Sequence, residues 1–373
     1  MSWLRIRELV RKEFIQLFRD RKNRPLLVVA PLVQLIVFGY VVTTDVRDIR
    51  VGLVDQSRTP ESRRLIDAID GNQTFRITHY LNRSADLDLL LLKREIDLGV
   101  QIPSDFSSQI RKGETAEVQI LADGSMSNMA SIRISYTISL LEQFNSQLIR
   151  ELYPHRIDYG EIDGRIRTWY NPNLDSQYFY VPGIVAFLVM LLSLLFTSMA
   201  IVREKEAGTM EQLIVTPLKP LELILGKTIP FIIIAQIQMI LVIAFAIMWF
   251  RIPMVGNAFL LLGATFIFLL STLGIGLFIS TVSKTQQQAM MTNFFFIMPF
   301  FMLSGFVFPI ANMPTVVQWF TYLNPLQYFL VIIRGIFLKG TGLDALWPQF
   351  LGLAILGGLV FPAAVNRFRK QLD

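Results

Sequence analysis

Long apolar runs separated by short polar ones set the pattern of this chain. Six of them approach the roughly 20 helical residues, at about 1.5 Å each, that cross a bilayer core of about 30 Å. They cover residues 25–44, 178–202, 223–250, 255–282, 288–309 and 346–365. The pattern predicts an α-helical polytopic membrane protein with six transmembrane helices. Between the first two runs the period changes. IRVGLVD (49–55), FRITHYL (75–81), LGVQIP (98–103) and AEVQILAD (116–123) read as strands, whereas PESRRLIDAI (60–69), DLDLLLLKREI (86–96) and residues 127–152 read as helices. Residues 45–177 are therefore expected to be an inserted α+β domain. Residues 310–345 are apolar in places but broken by Pro314, Pro325 and charges, which predicts short re-entrant or interfacial helices.

At the N-terminus, Trp3, Ile6, Val10, Phe14 and Leu17 recur at three- and four-residue steps among Arg and Lys. Residues 1–24 read as an amphipathic helix on the membrane surface, with a plain basic prelude as the alternative. Absence of an A-x-A site after the first run favours an uncleaved anchor. No sequence repeat is evident.

Composition agrees with the runs: 53% of residues are apolar and 17% charged, with a mean hydropathy of +0.47. The net charge of +6 sits mainly beside apolar runs. It therefore sets orientation and gives no reason to expect nucleic acid as a partner. Arg5, Arg7, Arg11, Lys12, Arg19, Arg21, Lys22 and Arg24 flank the first run, and Arg367, Arg369 and Lys370 follow the last. Both termini are expected in the cytoplasm, which places residues 45–177 outside, 203–222 inside and the tail 366–373 inside. With no Cys and only His79 and His155, the chain has no disulfide, thiolate ligand, cysteine nucleophile or histidine metal cluster to offer.

Two polar interruptions invite a chemical reading. REKEAGTME (203–211) places five charges in nine residues between apolar runs. Ala207, Met210 and Ile214 share one face of a short helix while Lys205, Gly208, Thr209 and Gln212 face away, and Pro217 and Pro220 end it. Docking onto a soluble partner and a solvated turn both remain open on pattern alone. GKT (226–228) lacks the first glycine of a phosphate-binding loop, because Leu221 stands five residues before Gly226. Lys227 is instead expected to snorkel to the cytoplasmic headgroups.

Within the runs, Gln34, Gln236, Gln238, Asn293 and Ser304 are the main polar residues at depth, and no Asp or Glu lies there. An ion-driven carrier generally needs such a carboxylate. Gln34, Gln236, Asn293 and Ser304 are candidates for a translocation path, or for hydrogen bonds that join helices. Gly274, Gly276, Gly357 and Gly358 read as close-packing positions. No nucleophile, base and orienting group recur as a catalytic set.

REKEAGTMEQLIVTPLKPLELILGK (203–227) and LSGFVFPIANMPTVVQWFTYLNPLQYFLVIIRGIFLKG (303–340) resemble the signature loop and the fifth span with its external elements of ABC-2-type exporter permeases. The basic surface helix, the large domain after the first span and the span number match as well, most closely in the bacterial multidrug-type permeases. The resemblance implies that residues 203–214 are a coupling helix seated in a cleft of a separate ATP-binding subunit. Glu204, Glu206, Gly208, Thr209 and Glu211 would be the contact and shaping residues, with Glu206 or Glu211 facing a basic residue of that subunit. It further implies a chain without a catalytic site or cofactor, in the bacterial cytoplasmic membrane. ATP-Mg would be held by two copies of the partner subunit. A second permease subunit, identical or homologous, membrane lipids and a periplasmic adaptor are the other expected partners. Export of hydrophobic or amphipathic small molecules such as drugs is the implied activity. Lipid or lipopeptide export, a non-transporting assembly that moves the outside domain, and an ion-coupled carrier are the competing readings.

Overall fold

The computed structural model describes residues 3–19, 23–41, 48–152, 169–171, 175–209 and 219–372. They belong to two units, one spanning Thr44–Ile166 and the other Met1–Thr43 with Arg167–Asp373. His155 and the expected helix positions Met210, Glu211, Gln212, Ile214 and Pro217 lie outside the described residues.

In the Thr44–Ile166 unit, strands β1 (Ile49–Asp55), β2 (Phe75–Leu81), β3 (Leu98–Ile102) and β4 (Gln119–Ala122) pair in the order β2-β1-β3-β4. β1 runs parallel to β2 and β3, and β4 closes the edge antiparallel. Helices α3 (Pro60–Asp70) and α4 (Ser84–Leu92) make the crossovers, so the expected α+β unit is built on a mainly parallel sheet. As a central parallel strand, β1 buries Ile49, Val51, Leu53 and Val54 on both faces. Gly52 sits opposite Gly99, and a Cβ on Gly52 would lie 2.7 Å from Ile96 and 3.0 Å from Leu87, so α4 and the chain after it lie directly on the sheet. Helices α5 (Phe106–Lys112) and α6 (Ser127–Leu152) join α3 on the other face, with Leu65, Ile69, Phe106 and Leu140 in one core. α3 begins with a capping box in which Thr59 and Ser62 satisfy each other's backbone N–H groups, and Pro60 opens its first turn. A half-buried carboxylate fastens the sheet. Asp97 accepts hydrogen bonds from Arg50 at 3.0 Å and lies 2.9 Å from Arg133 of α6. Burial raises the affinity of Asp97 for a proton, but the Arg50 hydrogen bonds and the Arg133 charge outweigh it and hold the carboxyl below its ordinary range.

The other unit is helical. It contains α1 (Trp3–Arg19), α2 (Asn23–Val41), α7 (Ser176–Glu206), α8 (Pro220–Phe250), α9 (Ala258–Val282), α10 (Gln286–Met302), α11 (Thr315–Thr321), α12 (Pro325–Arg334) and α13 (Leu343–Leu372). Among the described residues, four helices are long and apolar enough to cross a membrane: α7, α8, α9 and α13. α11 and the stretch Pro325–Lys339 form a pair bent by 80°, which fits the broken helices expected over 310–345. Two expected spans are shorter. The apolar part of α2, Leu27–Val41, extends about 22 Å, and α10 extends about 25 Å. The described chain is thus a multi-pass membrane protein with four long spans or five with the bent pair, and six are not what its helix lengths show.

α7 and α9 form the centre. Val181, Val185, Leu188, Val189 and Leu194 are fully buried, and Ser193 donates to Thr272 at 3.0 Å between the two helices. Phe268 stacks on Phe329 of α12 with centroids 4.3 Å apart. Three of the four expected packing glycines are at tight approaches. A Cβ on Gly274 would stand 3.0 Å from the Phe361 backbone, one on Gly276 3.1 Å from Thr197, and one on Gly357 3.2 Å from Ser271. Gly358 is corrected: it has open space around it. α13 continues to Leu372 and buries Phe368, whose apolar ring holds the last turns on the bundle. The linker after α8 is held by backbone bonds from Val255 to Phe337 at 3.1 Å and from Gly256 to Ile336 at 2.9 Å.

Candidate coupling site

Three helix ends meet where the charged interruption begins. α7 does not stop at the apolar limit near residue 202 but runs on through Glu206, so Arg203–Glu206 are its last turn rather than the start of a separate stub. Tertiary partners explain the extension. Lys205 donates to the Ser280 carbonyl of α9 at 2.6 Å, and Glu204 turns inward and is buried. Gly208 then takes a left-handed φ of +68°, its N–H donating to the Lys205 carbonyl at 3.2 Å, and Thr209 donates to the Glu204 carbonyl at 3.2 Å. Among the described residues, a Cβ at Gly208 would meet nothing within 4 Å. The glycine is needed for its backbone conformation and not for close approach within this chain.

α1 lies against α8 and brings the opposite charges. Ile6, Glu13 and Leu17 are its buried residues, while Trp3, Ile15 and Phe18 are exposed. Gly226 of α8 allows the contact, since a Cβ there would lie 2.7 Å from the Leu9 Cβ. One residue on, Lys227 is buried, with Nζ 3.2 Å from Glu13 Oε1 and in contact with Glu204 Oε2. Lys12, half exposed, adds a contact of 3.4 Å to Glu204 Oε1. Two carboxylates and two ammonium groups thus form a neutral cluster that ties α1, α7 and α8 together. Desolvation makes such a cluster costly to bury, and each member depends on the others for compensation. At the head of α8, Glu222 caps the Lys219 N–H at 3.2 Å and pairs with Arg5 at 3.7 Å.

Several expectations change here. Lys227 does not snorkel to headgroups, because two carboxylates from distant parts of the chain hold it inside. Gly226 and Thr228 belong to helix packing, the latter donating to the Ile224 carbonyl at 2.9 Å. Glu204 points into the protein and is no outward contact. Pro220 opens α8. Glu206 is exposed and accepts from Gln286 Nε2 at 2.7 Å, which links the end of α7 to the start of α10. Thr209 and Gly208 are exposed, and Glu211 lies outside the described residues. A cavity of about 170 Å³, bordered by Glu13, Leu17, Phe196 and Arg203, lies beside the cluster between α1 and α7.

The four path candidates do not share one interaction. Gln236 donates to the Leu262 carbonyl at 3.1 Å and joins α8 to α9. Asn293 is buried and donates to Ser198, joining α10 to α7. Ser304 donates to the Phe301 carbonyl at 2.7 Å and accepts from the Phe306 N–H in the turn after α10. Gln34 leaves its buried Oε1 without a hydrogen-bond partner among the described residues. Pattern reading also passed over Arg334, whose guanidinium lies 3.7 Å over the Phe179 ring and donates to the Phe179 carbonyl at 3.3 Å.

A family model described as ABC-2 family transporter protein matches residues 25–365. Over 369 residues, 99% of both chains, the sequence is 32% identical to the probable multidrug ABC transporter permease YbhR of Escherichia coli K12. It is 34% identical over 350 residues to the probable multidrug ABC transporter permease YbhS of the same organism, covering 91% of this chain and 90% of the relative. It is also 24% identical over 328 residues to the inner membrane transport permease YhhJ, covering 86% and 85%.

Proposed function

Because the chain belongs to the ABC-2 transporter family, we propose that it is the transmembrane permease subunit of an ATP-driven exporter. The carrying observation is the buried Glu13–Lys227–Glu204 cluster immediately before the exposed Glu206–Thr209 turn. It gives three helices one rigid root beside a segment open to a partner. In this reading, residues 203–214 dock into a separate ATP-binding subunit, present in two copies. Glu206, Gly208, Thr209 and Glu211 form the contact, and Glu204 holds the contact segment to α1 and α8. This chain carries no catalytic site and needs no cofactor of its own, and ATP-Mg is held by the partner. Closure of the ATPase pair moves the turn, and α7 conveys the movement through the bundle. A second permease, identical or homologous, completes the pathway.

The chain crosses a bacterial inner membrane six times with both termini in the cytoplasm. α2 and α10 are the two shorter crossings, and residues 45–177 lie outside, available to a periplasmic adaptor. The naming of the relatives as multidrug permeases supports small hydrophobic or amphipathic cargo, drugs foremost. Buried Asn293 and half-buried Gln34 and Gln236 border the route. ATPase activity of the chain purified with its ATP-binding subunit in lipid vesicles tests this reading. Stimulation by one cargo class is expected, with loss of stimulation in Glu206→Lys. Transport that persists with no ATPase present would sink it in favour of an ion-coupled carrier. Cargo-independent hydrolysis with no flux would favour the assembly that only moves the outside domain.

A further inference from the structure

The Thr44–Ile166 unit contains an open apolar groove of about 510 Å³ between α6 and the chain that joins α5 to β4. That volume is within the range of sites for drug-sized molecules. Leu65 and Phe106 are buried at its base, and Leu141 and Phe144 of α6 form a wall. Ile138, also on that wall, is left 46% exposed, which is unfavourable unless something covers it.

The charges around the groove choose its occupant. Glu114 and Glu142 are its ionisable lining residues, and no Lys or Arg lines it. Neighbouring carboxylates are already neutralised, Glu61 by Arg111 at 3.1 Å and Glu151 by Arg64 at 3.1 Å. Glu114 and Glu142 have no ion-pair partner among the described residues. An apolar cleft edged by two carboxylates that no described cation pairs repels anions and favours an apolar body with a positive charge. We propose that this groove is a binding site for lipophilic cations. Its identity as a cargo site rests on the export reading, whereas binding itself does not.

The test uses the full chain in nanodiscs of zwitterionic lipid, with tetraphenylphosphonium as probe and tetraphenylborate as its counterpart of like shape and opposite charge. A photoreactive phosphonium is expected to label residues 110–118 and 138–149. Glu114→Gln and Glu142→Gln should each weaken phosphonium binding about threefold and together about tenfold, in line with partly exposed charge pairs. Ala116→Trp should fill the groove and abolish labelling there, and thermal denaturation should confirm that every variant is folded. Equal affinity for tetraphenylborate, undiminished binding in the double variant, or labelling confined to α7–α13 overturns the proposal. So does groove closure by a second copy, seen as cross-linking between copies through Ile138→Cys that phosphonium does not suppress. If phosphonium binds as expected but neither stimulates ATP hydrolysis nor is transported, the binding site stands and its identity as a cargo site fails.

Discussion

Replacing Lys227 by Met leaves Glu13 and Glu204 buried without the ammonium they share. Breaking a buried ion pair from one side costs about 3–5 kcal/mol, because the remaining charge keeps its desolvation penalty. Thermal denaturation of the detergent-solubilised Lys227→Met chain should therefore show a clearly lowered midpoint, partly restored by adding Glu204→Gln. A midpoint no lower than that of the exposed Lys219→Met would show that the cluster is not a structural root. Asp97 gives a pH prediction of defined sign. Its folded-state pKa lies below the unfolded value of about 3.9, so its stabilisation is complete above that value and lost as pH falls through the folded one. In Asp97→Asn the Thr44–Ile166 unit should be less stable near neutrality and less sensitive to acid, as read by hydrogen exchange of β1 and β3 in the full chain. An acid limb unchanged from the parent would remove Asp97 from the account.

Helix packing decides which small residues matter. Gly274 and Gly358 both lie in apolar helical runs and look alike in sequence, yet only Gly274 faces a backbone. Gly274→Val should force α9 from α13 at Phe361 and cost about 1–3 kcal/mol, while Gly358→Val should be nearly neutral. Comparing folded yield and denaturation midpoint of the two variants checks this, and equal losses would contradict the packing. Most elements were legible because their signals are local. β1 occupies 49–55, marked by alternating Ile49, Val51 and Leu53, and α6 occupies 127–152, marked by apolar residues at helical spacing. α5 was missed because FSSQIRK is a single seven-residue stretch with too few apolar positions to set a period. The last turn of α7 was misread because REKE has no apolar pattern, and its helical state depends on Lys205 reaching Ser280 and Glu204 reaching Lys227.

For the whole molecule, the distribution of charge predicts a topology that the absence of cysteine makes simple to measure. In intact cells, Asp88→Cys should react with a membrane-impermeant maleimide, and Lys284→Cys only after permeabilisation. The reverse labelling would invert the arrangement and place the turn at Glu206 away from any cytoplasmic ATPase. Helix number is only partly legible at this scale. Apolar length marks six runs, but the runs at α2 and α10 form helices shorter than a full bilayer crossing.

Composition and periodicity by themselves determined that the chain is a polytopic membrane protein with α and β elements between its first two apolar runs, since apolar length and residue alternation are properties of consecutive residues. They also ruled out GKT as a phosphate loop, because that loop depends on a fixed local spacing. Tertiary structure alone decided what Lys227, Glu204 and Glu13 do. Lys227 and Glu13 are 214 positions apart, and no local pattern marks two charges on separate helices that neutralise each other only when folding removes both from water.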